Sequence, residues 1–215
     1  QEREALVRKK NAEIKSLEAQ INPHFLYNTL DAINWVAVEH EEFQISKMLI
    51  HLAAILRYSI QRCNETVMIQ EELEYLKKYI YLQQQRFCDS FQYSIHIDEA
   101  LNCYRIHKLL IQPLIENAII HGFPGSTGQD EIEIVIQKQE DTYIQIQVKD
   151  NGKGMSQELA EQFNNYDYRK DRIETSIGVR NVITRLKLYY GDNSYFHMAS
   201  GEQGTTATIV IPYEI

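Results

Sequence analysis

Two kinds of periodicity, met in succession, predict an α+β chain. A helical hairpin comes first, half of a dimeric four-helix bundle, and an α/β sandwich follows it. Between residues 24 and 59 apolar side chains recur every three to four positions, as on one face of a helix. From residue 91 onward strand-like runs alternate with helical stretches, the pattern of a sheet covered by helices on one face. The helical pattern breaks near Gln61–Thr66, so the expected domains are residues 1–65 and 66–215.

Residues 1–22 are charged and helix-favouring. Val7, Ile14, Leu17 and Ile21 follow coiled-coil spacing, which Lys10 interrupts. In INPHFLYNTLDAINWVAVEH, Asn22 suits an N-cap and Pro23 the first helical turn, where its missing N–H costs nothing. The alternative is one long helix kinked at Pro23. Leu26, Leu30, Ile33 and Ala37 then share one face, while His24, Asn28 and Asp31 share another. A second helix carries Ile45, Met48, Leu49, Leu52, Ile55, Leu56 and Ser59 on one face, and the two helices pair as a hairpin.

After the break, an extended piece at Val67–Ile69 leads into a helix over Glu71–Phe87. Phe91–Ile97 alternates as a strand, and Arg105–His121 reads as a strongly apolar helix. Glu131–Lys138 and Tyr143–Lys149 read as strands, the second with Ile144, Ile146 and Val148 on one face. Helices follow at Ser156–Asn165 and Ile177–Tyr189, then strands at Tyr195–Ser200 and Thr205–Ile211.

Composition excludes several classes. The 215 residues hold 22 Lys+Arg against 30 Asp+Glu, a net charge of −8, and 44% of them are hydrophobic. That apolar fraction supplies a core and argues against disorder. No run reaches the roughly 18 apolar residues of a membrane span. The acidic balance excludes a protein that reads a nucleic-acid backbone, whose main affinity term is cationic. A compact nucleotide site with its own metal ion stays compatible with it. Cys63, Cys88 and Cys103 are odd in number and lack CxxC spacing, as expected of reduced thiols without a zinc site. No signal peptide is evident, and Gln1 falls inside a helical pattern, as in a fragment.

Four stretches carry chemistry. In LIQPLIENAIIHGF the polar pair Glu116-Asn117 interrupts an apolar run and needs partners, whether a ligand or the core itself. In VKDNGKGM a strand ends at Asp150, and Gly152 and Gly154 permit a turn or close approach to a ligand. In SIGVRNVITRL a glycine precedes an amphipathic helix whose N-terminus suits phosphate, with Arg180 and Arg185 adding charge. GEQGTTATIVIP closes with a glycine-led strand. Each alone is ambiguous, and a Walker-type GxxxxGK[ST] loop is absent.

In this order the four resemble the N, G1, G2 and last glycine-containing boxes of the GHKL ATPase superfamily. QINPHFLYNTLDAINWVA, LRYSI and EELEYLKKYIYLQQQRF narrow the resemblance to LytS/YesM-type sensor histidine kinases, from about Leu17 to the C-terminus. The resemblance implies a GHKL-type ATP-binding domain after the hairpin, with ATP and Mg²⁺ bound. His24 is then the phosphoacceptor, with Asn28 four positions on and Asp31 one turn further. Phe25 stands where the wider class carries an acidic residue. Asn117 matches the metal-ligating asparagine and Glu116 precedes it in a catalytic role. His121 is the candidate phosphate contact, because Ile120 stands where many kinases carry Lys; Pro113 stands where many relatives carry Glu or Asn.

Asp150 matches the residue that accepts from the adenine amino group, Gly152 and Gly154 let the chain pass close to the base, and Thr205 assists. Gly178 begins the helix facing the phosphates, behind Ser176 in place of a second glycine. Met155–Ser176 would form the ATP lid, with Tyr166, Tyr168, Arg169, Lys170 and Arg172. The implied activity is autophosphorylation of His24 and transfer to a response-regulator aspartate by a homodimer. The implied setting is the cytoplasmic side of a bacterial cell membrane, reached through an upstream sensor region. Two other readings remain: a catalytically silent ATP-binding dimeric scaffold, or a GHKL serine kinase of anti-sigma type, against which NPHFLYN on its own helix argues.

Overall fold

The computed structural model describes residues 23–60, 65–123, 129–140, 142–167 and 177–213. The coiled-coil seam, the Asn22 cap, Cys63 and the lid residues Tyr168, Arg169, Lys170, Arg172 and Ser176 lie outside them. The chain divides into two compact units, residues 1–61 and 62–215.

In the first unit α1 (Pro23–Glu39) and α2 (Phe43–Ile60) pack together across a short turn in which Glu41 takes φ 59°. Ser46 Oγ donates to Asn34 Oδ1 at 2.6 Å, and the Arg57 guanidinium lies over the Tyr27 ring at 5.3 Å. Two helices alone enclose little. Among the described residues of this unit only Ala37 and Ser46 are buried, while Phe25, Trp35 and Phe43 are 65%, 72% and 67% exposed. Ile33, expected on the apolar face, is also exposed.

The second unit opens with β1 (Thr66–Met68) and α3 (Ile69–Arg86), followed by β2 (Phe91–Ile97) and β3 (Arg105–His107). Next come α4 (Gln112–Asn117), β4 (Asp130–Gln139), β5 (Tyr143–Asp150) and α5 (Gln157–Asn164). α6 (Ile177–Tyr190), β6 (Tyr195–Gly201) and β7 (Gly204–Pro212) complete it. The main sheet has the order β2-β4-β5-β7-β6. β2 runs parallel to β4 and the other neighbours are antiparallel, while β1 and β3 form a separate pair.

Alternation makes the sheet two-faced. Ile132, Ile134, Ile136, Ile144, Ile146, Ile209 and Ile211 are all fully buried. Each such side chain contributes about 1.5–3 kcal/mol by leaving water. Leu73, Leu76 and Ile80 of α3 and Val179, Val182 and Leu186 of α6 supply the helical side of that core. The edge strand β6 is held by α5. Asn164 Nδ2 donates to Met198 O at 3.0 Å, and Met198 N donates to Asn164 Oδ1 at 2.7 Å, a side-chain substitute for the missing strand. No described helix is long and apolar enough to cross a membrane.

Residues 105–121 depart from the single helix their apolar run predicts. Arg105–His107 pairs with Thr66–Met68 as β3, Leu109 takes φ 59°, and α4 begins only at Gln112, with Pro113 in its first turn. A three-residue strand is too short to show a period of its own, and the apolar residues after it extend the helical pattern back across it. The helix then widens into a π turn over Ala118–Gly122.

Candidate functional site

The sheet delivers an acceptor to a cavity. β5 ends at Asp150, which lies directly across the ladder from Thr205 at the start of β7. Asp150 Oδ1 accepts the backbone N–H of Gly152 at 3.0 Å and that of Thr205 at 3.3 Å. Among the described residues no protein donor reaches Oδ2. Burial pushes the Asp150 carboxyl above its ordinary value, and the two amides offset this in part.

The turn after Asp150 is compressed against its neighbours. A Cβ on Gly152 would stand 2.3 Å from Gly122 O, at the end of the π turn. Gly154 takes φ 68°, and a Cβ there would stand 1.9 Å from Gly201 O. Only glycine fits either position. Asn151 ties the turn to β4 through Glu131 N and Gln129 O, both at 2.8 Å.

A cavity of about 430 Å³ opens over this turn, lined by Asn117, His121, Gly122, Asp150, Lys153, Gly154, Met155, Ser156, Leu159 and Thr205. A neighbouring hollow of about 260 Å³ is lined by Pro113, Glu116, Asn117, Ile120, His121, Ile177, Gly178 and Val179. Asn117 and His121 line both. They are four residues apart, and the wide turn that begins after Asn117 keeps them on one side of the segment. The second hollow also takes in the first turn of α6, whose backbone N–H groups favour an anion.

The expected site residues thus fall into four groups. Asn117, His121, Asp150, Gly154 and Thr205 share the larger cavity, and Glu116 and Gly178 join Asn117 and His121 in the smaller. Gly152 does not line either; it packs beneath on Gly122. His24 and Asn28 belong to the helical unit. There the Asn28 amide nitrogen lies 3.3 Å from His24 Nδ1 and 3.5 Å from Nε2, with both residues exposed.

Other residues carry the site without a sequence signal. Met155 and Leu159 give the larger cavity apolar walls. Ser200 Oγ meets Thr205 Oγ1 at 3.0 Å and accepts Met155 N at 2.8 Å, linking two lining residues from β6. Glu116 Oε1 accepts Tyr79 Oη at 3.0 Å and Gln112 Nε2 at 2.7 Å. Arg185, counted with the phosphate-compatible charges, is engaged inside the protein. Its guanidinium donates to Leu109 O at 2.9 Å and to Lys108 O, and lies over the Tyr189 ring.

Chemically, the larger cavity offers one carboxylate acceptor between apolar walls, which suits a flat heterocycle bearing an amino group. The smaller offers a carboxylate, an amide and a helix N-terminus, which suits a metal-bridged anion.

Comparison with known proteins points the same way. Residues 12–91 match the family described as Histidine kinase. Residues 105–215, more than half of the chain, match the family described as Histidine kinase-, DNA gyrase B-, and HSP90-like ATPase. Sensor histidine kinase YesM of Bacillus subtilis (strain 168) is 37% identical over 204 residues, 94% of this chain and 34% of the relative. Sensor histidine kinase YpdA of Escherichia coli (strain K12) is 35% identical over 202 residues, again 94% and 34%. The chain spans about a third of the length of the curated relatives it matches. Among solved structures, the catalytic domain of histidine kinase ThkA superposes with a TM-score of 0.51 at 16% identity, covering 69% of this chain and 96% of that one. At that identity the likeness speaks for the fold alone.

Proposed function

The chain belongs to the histidine kinase-, DNA gyrase B-, and HSP90-like ATPase family, and within it to the sensor histidine kinases of the YesM and LytS type; we propose that it is the kinase core of such a sensor, transferring the γ-phosphoryl group of ATP to His24. The observation that carries the proposal is the pair of hollows that share Asn117 and His121 as lining residues, one holding the Asp150 acceptor and the other the first turn of α6.

ATP lies along that line in this reading. The adenine amino group donates to Asp150 Oδ2, while Oδ1 stays occupied by backbone amides. A guanine in the same pose turns a carbonyl toward the carboxylate, so the site prefers adenine. Met155 and Leu159 flank the base, and Thr205 assists at its edge. His121 and the first turn of α6 at Gly178 meet the phosphates.

The donor set fits Mg²⁺. Asn117 would offer it an amide oxygen, with the Glu116 carboxylate beside it in the same hollow. When bound, the ion offsets the charge of the phosphate oxygens. Asn117 is the residue that would hold it.

At the other reactant, an unprotonated imidazole nitrogen of His24 attacks the γ-phosphorus. The N–P bond forms as the bond to the β,γ-bridging oxygen breaks, and its electrons leave with ADP. Asn28, one helical turn on, lies with its amide beside the ring. A response-regulator aspartate takes the phosphoryl group afterwards. The exposed Phe25, Trp35 and Phe43 of the hairpin support a homodimer in which a second copy covers them. The membrane is reached through a sensor region outside these residues.

The test is isotopic. Incubation with γ-labelled ATP and Mg²⁺ labels the protein, α-labelled ATP does not, and Asp150→Asn loses the label. Equal labelling from both nucleotides contradicts a phosphoryl transfer.

A further inference from the structure

Helix α3 is joined to the segment that carries Glu116 by three side-chain bonds of one repeating offset. Leu109 N donates to Glu72 Oε1 at 2.9 Å, Tyr75 Oη donates to Gln112 Oε1, and Tyr79 Oη donates to Glu116 Oε1 at 3.0 Å. In each pair the partner lies 37 residues further along the chain. The two segments therefore run parallel and in step. Glu72, Tyr75 and Tyr79 stand at i, i+3 and i+7, which brings them onto one face of α3. Glu72 and Tyr75 are 0% and 3% exposed, so the first two bonds are shielded from competing water, while the third lies at the edge of the hollow.

The third bond ends at the nucleotide site. Both donors to Glu116, the Tyr79 hydroxyl and the Gln112 amide, fall on Oε1. Gln112 is itself held by Tyr75. Among the described residues no protein donor reaches Oε2, and the side chain lines the smaller hollow beside Asn117.

We propose that Tyr79 and Gln112 are positioning residues for phosphoryl transfer: together they fasten Oε1 of Glu116 to α3 and α4, reserving Oε2 as the acceptor for a donor that enters the hollow. The assignment rests on the kinase reading above. A carboxylate held at one oxygen has a fixed rotamer, whereas one released by either donor samples several and is aligned for only part of the time.

The experiment is a double-mutant cycle on phosphoprotein formation by this chain at saturating ATP·Mg²⁺, with ATP affinity measured alongside. Tyr79→Phe keeps the ring and removes one donor; the expected rate falls about tenfold while ATP affinity stays within about twofold. Gln112→Met gives a similar fall. Neither substitution slows the reaction further in a Glu116→Gln background, because the group being positioned is already altered. Effects that persist undiminished in the Glu116→Gln background overturn the inference, since a purely structural role acts regardless of residue 116. Phosphorylation at the parent rate in Tyr79→Phe overturns it as well and leaves the kinase reading intact. A parent chain that binds ATP without becoming phosphorylated overturns the kinase reading, and the inference with it.

Discussion

Thr205 donates its backbone N–H to Oδ1 of Asp150 at 3.3 Å, from the position directly across the β5–β7 ladder. The same register that pairs the strands thus sets the orientation of the carboxylate, and Gly152 completes it from the other side. Asp150→Asn keeps an acceptor for both amides and presents an amino group to the cavity in place of Oδ2. A hydrogen bond to a charged acceptor is worth about 1.5–3 kcal/mol, so ATP affinity falls by roughly tenfold to a hundredfold. Titration with a fluorescent ATP analogue measures it, and unchanged affinity removes Asp150 from the adenine site.

The same carboxyl links stability to pH. Its folded value lies above the ordinary 3.8 because burial disfavours the charge. Between 3.8 and the raised value the folded chain therefore binds more protons than the unfolded one, and stability falls as pH rises through that window. Above the window the cost of the buried charge is complete. Asp150→Asn carries no charge, so without nucleotide it melts higher than the parent at neutral pH. That advantage shrinks on acidification and is gone below 3.8. Thermal melts across the acid range test this; a difference independent of pH contradicts it.

Two glycines separate packing from conformity to a motif. Gly154→Ala drives a Cβ to 1.9 Å from Gly201 O at φ 68°, and the expected loss is about 3 kcal/mol. Gly178→Ala places its Cβ 3.5 Å from Pro113 Cβ, an ordinary contact inside a helix, with an expected gain of about 0.5 kcal/mol. Urea midpoints of the two variants compare them directly. Equal losses contradict the steric account.

The strands were legible because one face of the sheet meets water. Ile144, Ile146 and Val148 are buried while Gln145, Gln147 and Lys149 between them are not, and that alternation is written in the residues. β3 is only three residues long and leads directly into an apolar run, so β3 and the turn at Leu109 merge with α4 in the sequence. Asp150 stands out as a carboxylate at the end of an alternating strand, and Asn117 as part of a polar pair inside an apolar run. Tyr79, Gln112 and Ser200 do not, because their roles depend on partners from other elements or on a network visible only once the chain is folded. Arg185 shows the converse: its charge suggested phosphate, while its guanidinium serves the carbonyls of Lys108 and Leu109.

Transfer to His24 is the central claim, and the chemistry of the phosphoprotein tests it most directly. After incubation with ATP·Mg²⁺ the account predicts a phosphoryl group that is labile in acid and stable in base, as a phosphoramidate is, and that is absent from His24→Ala. Acid-stable phosphate, or label that survives His24→Ala, contradicts it.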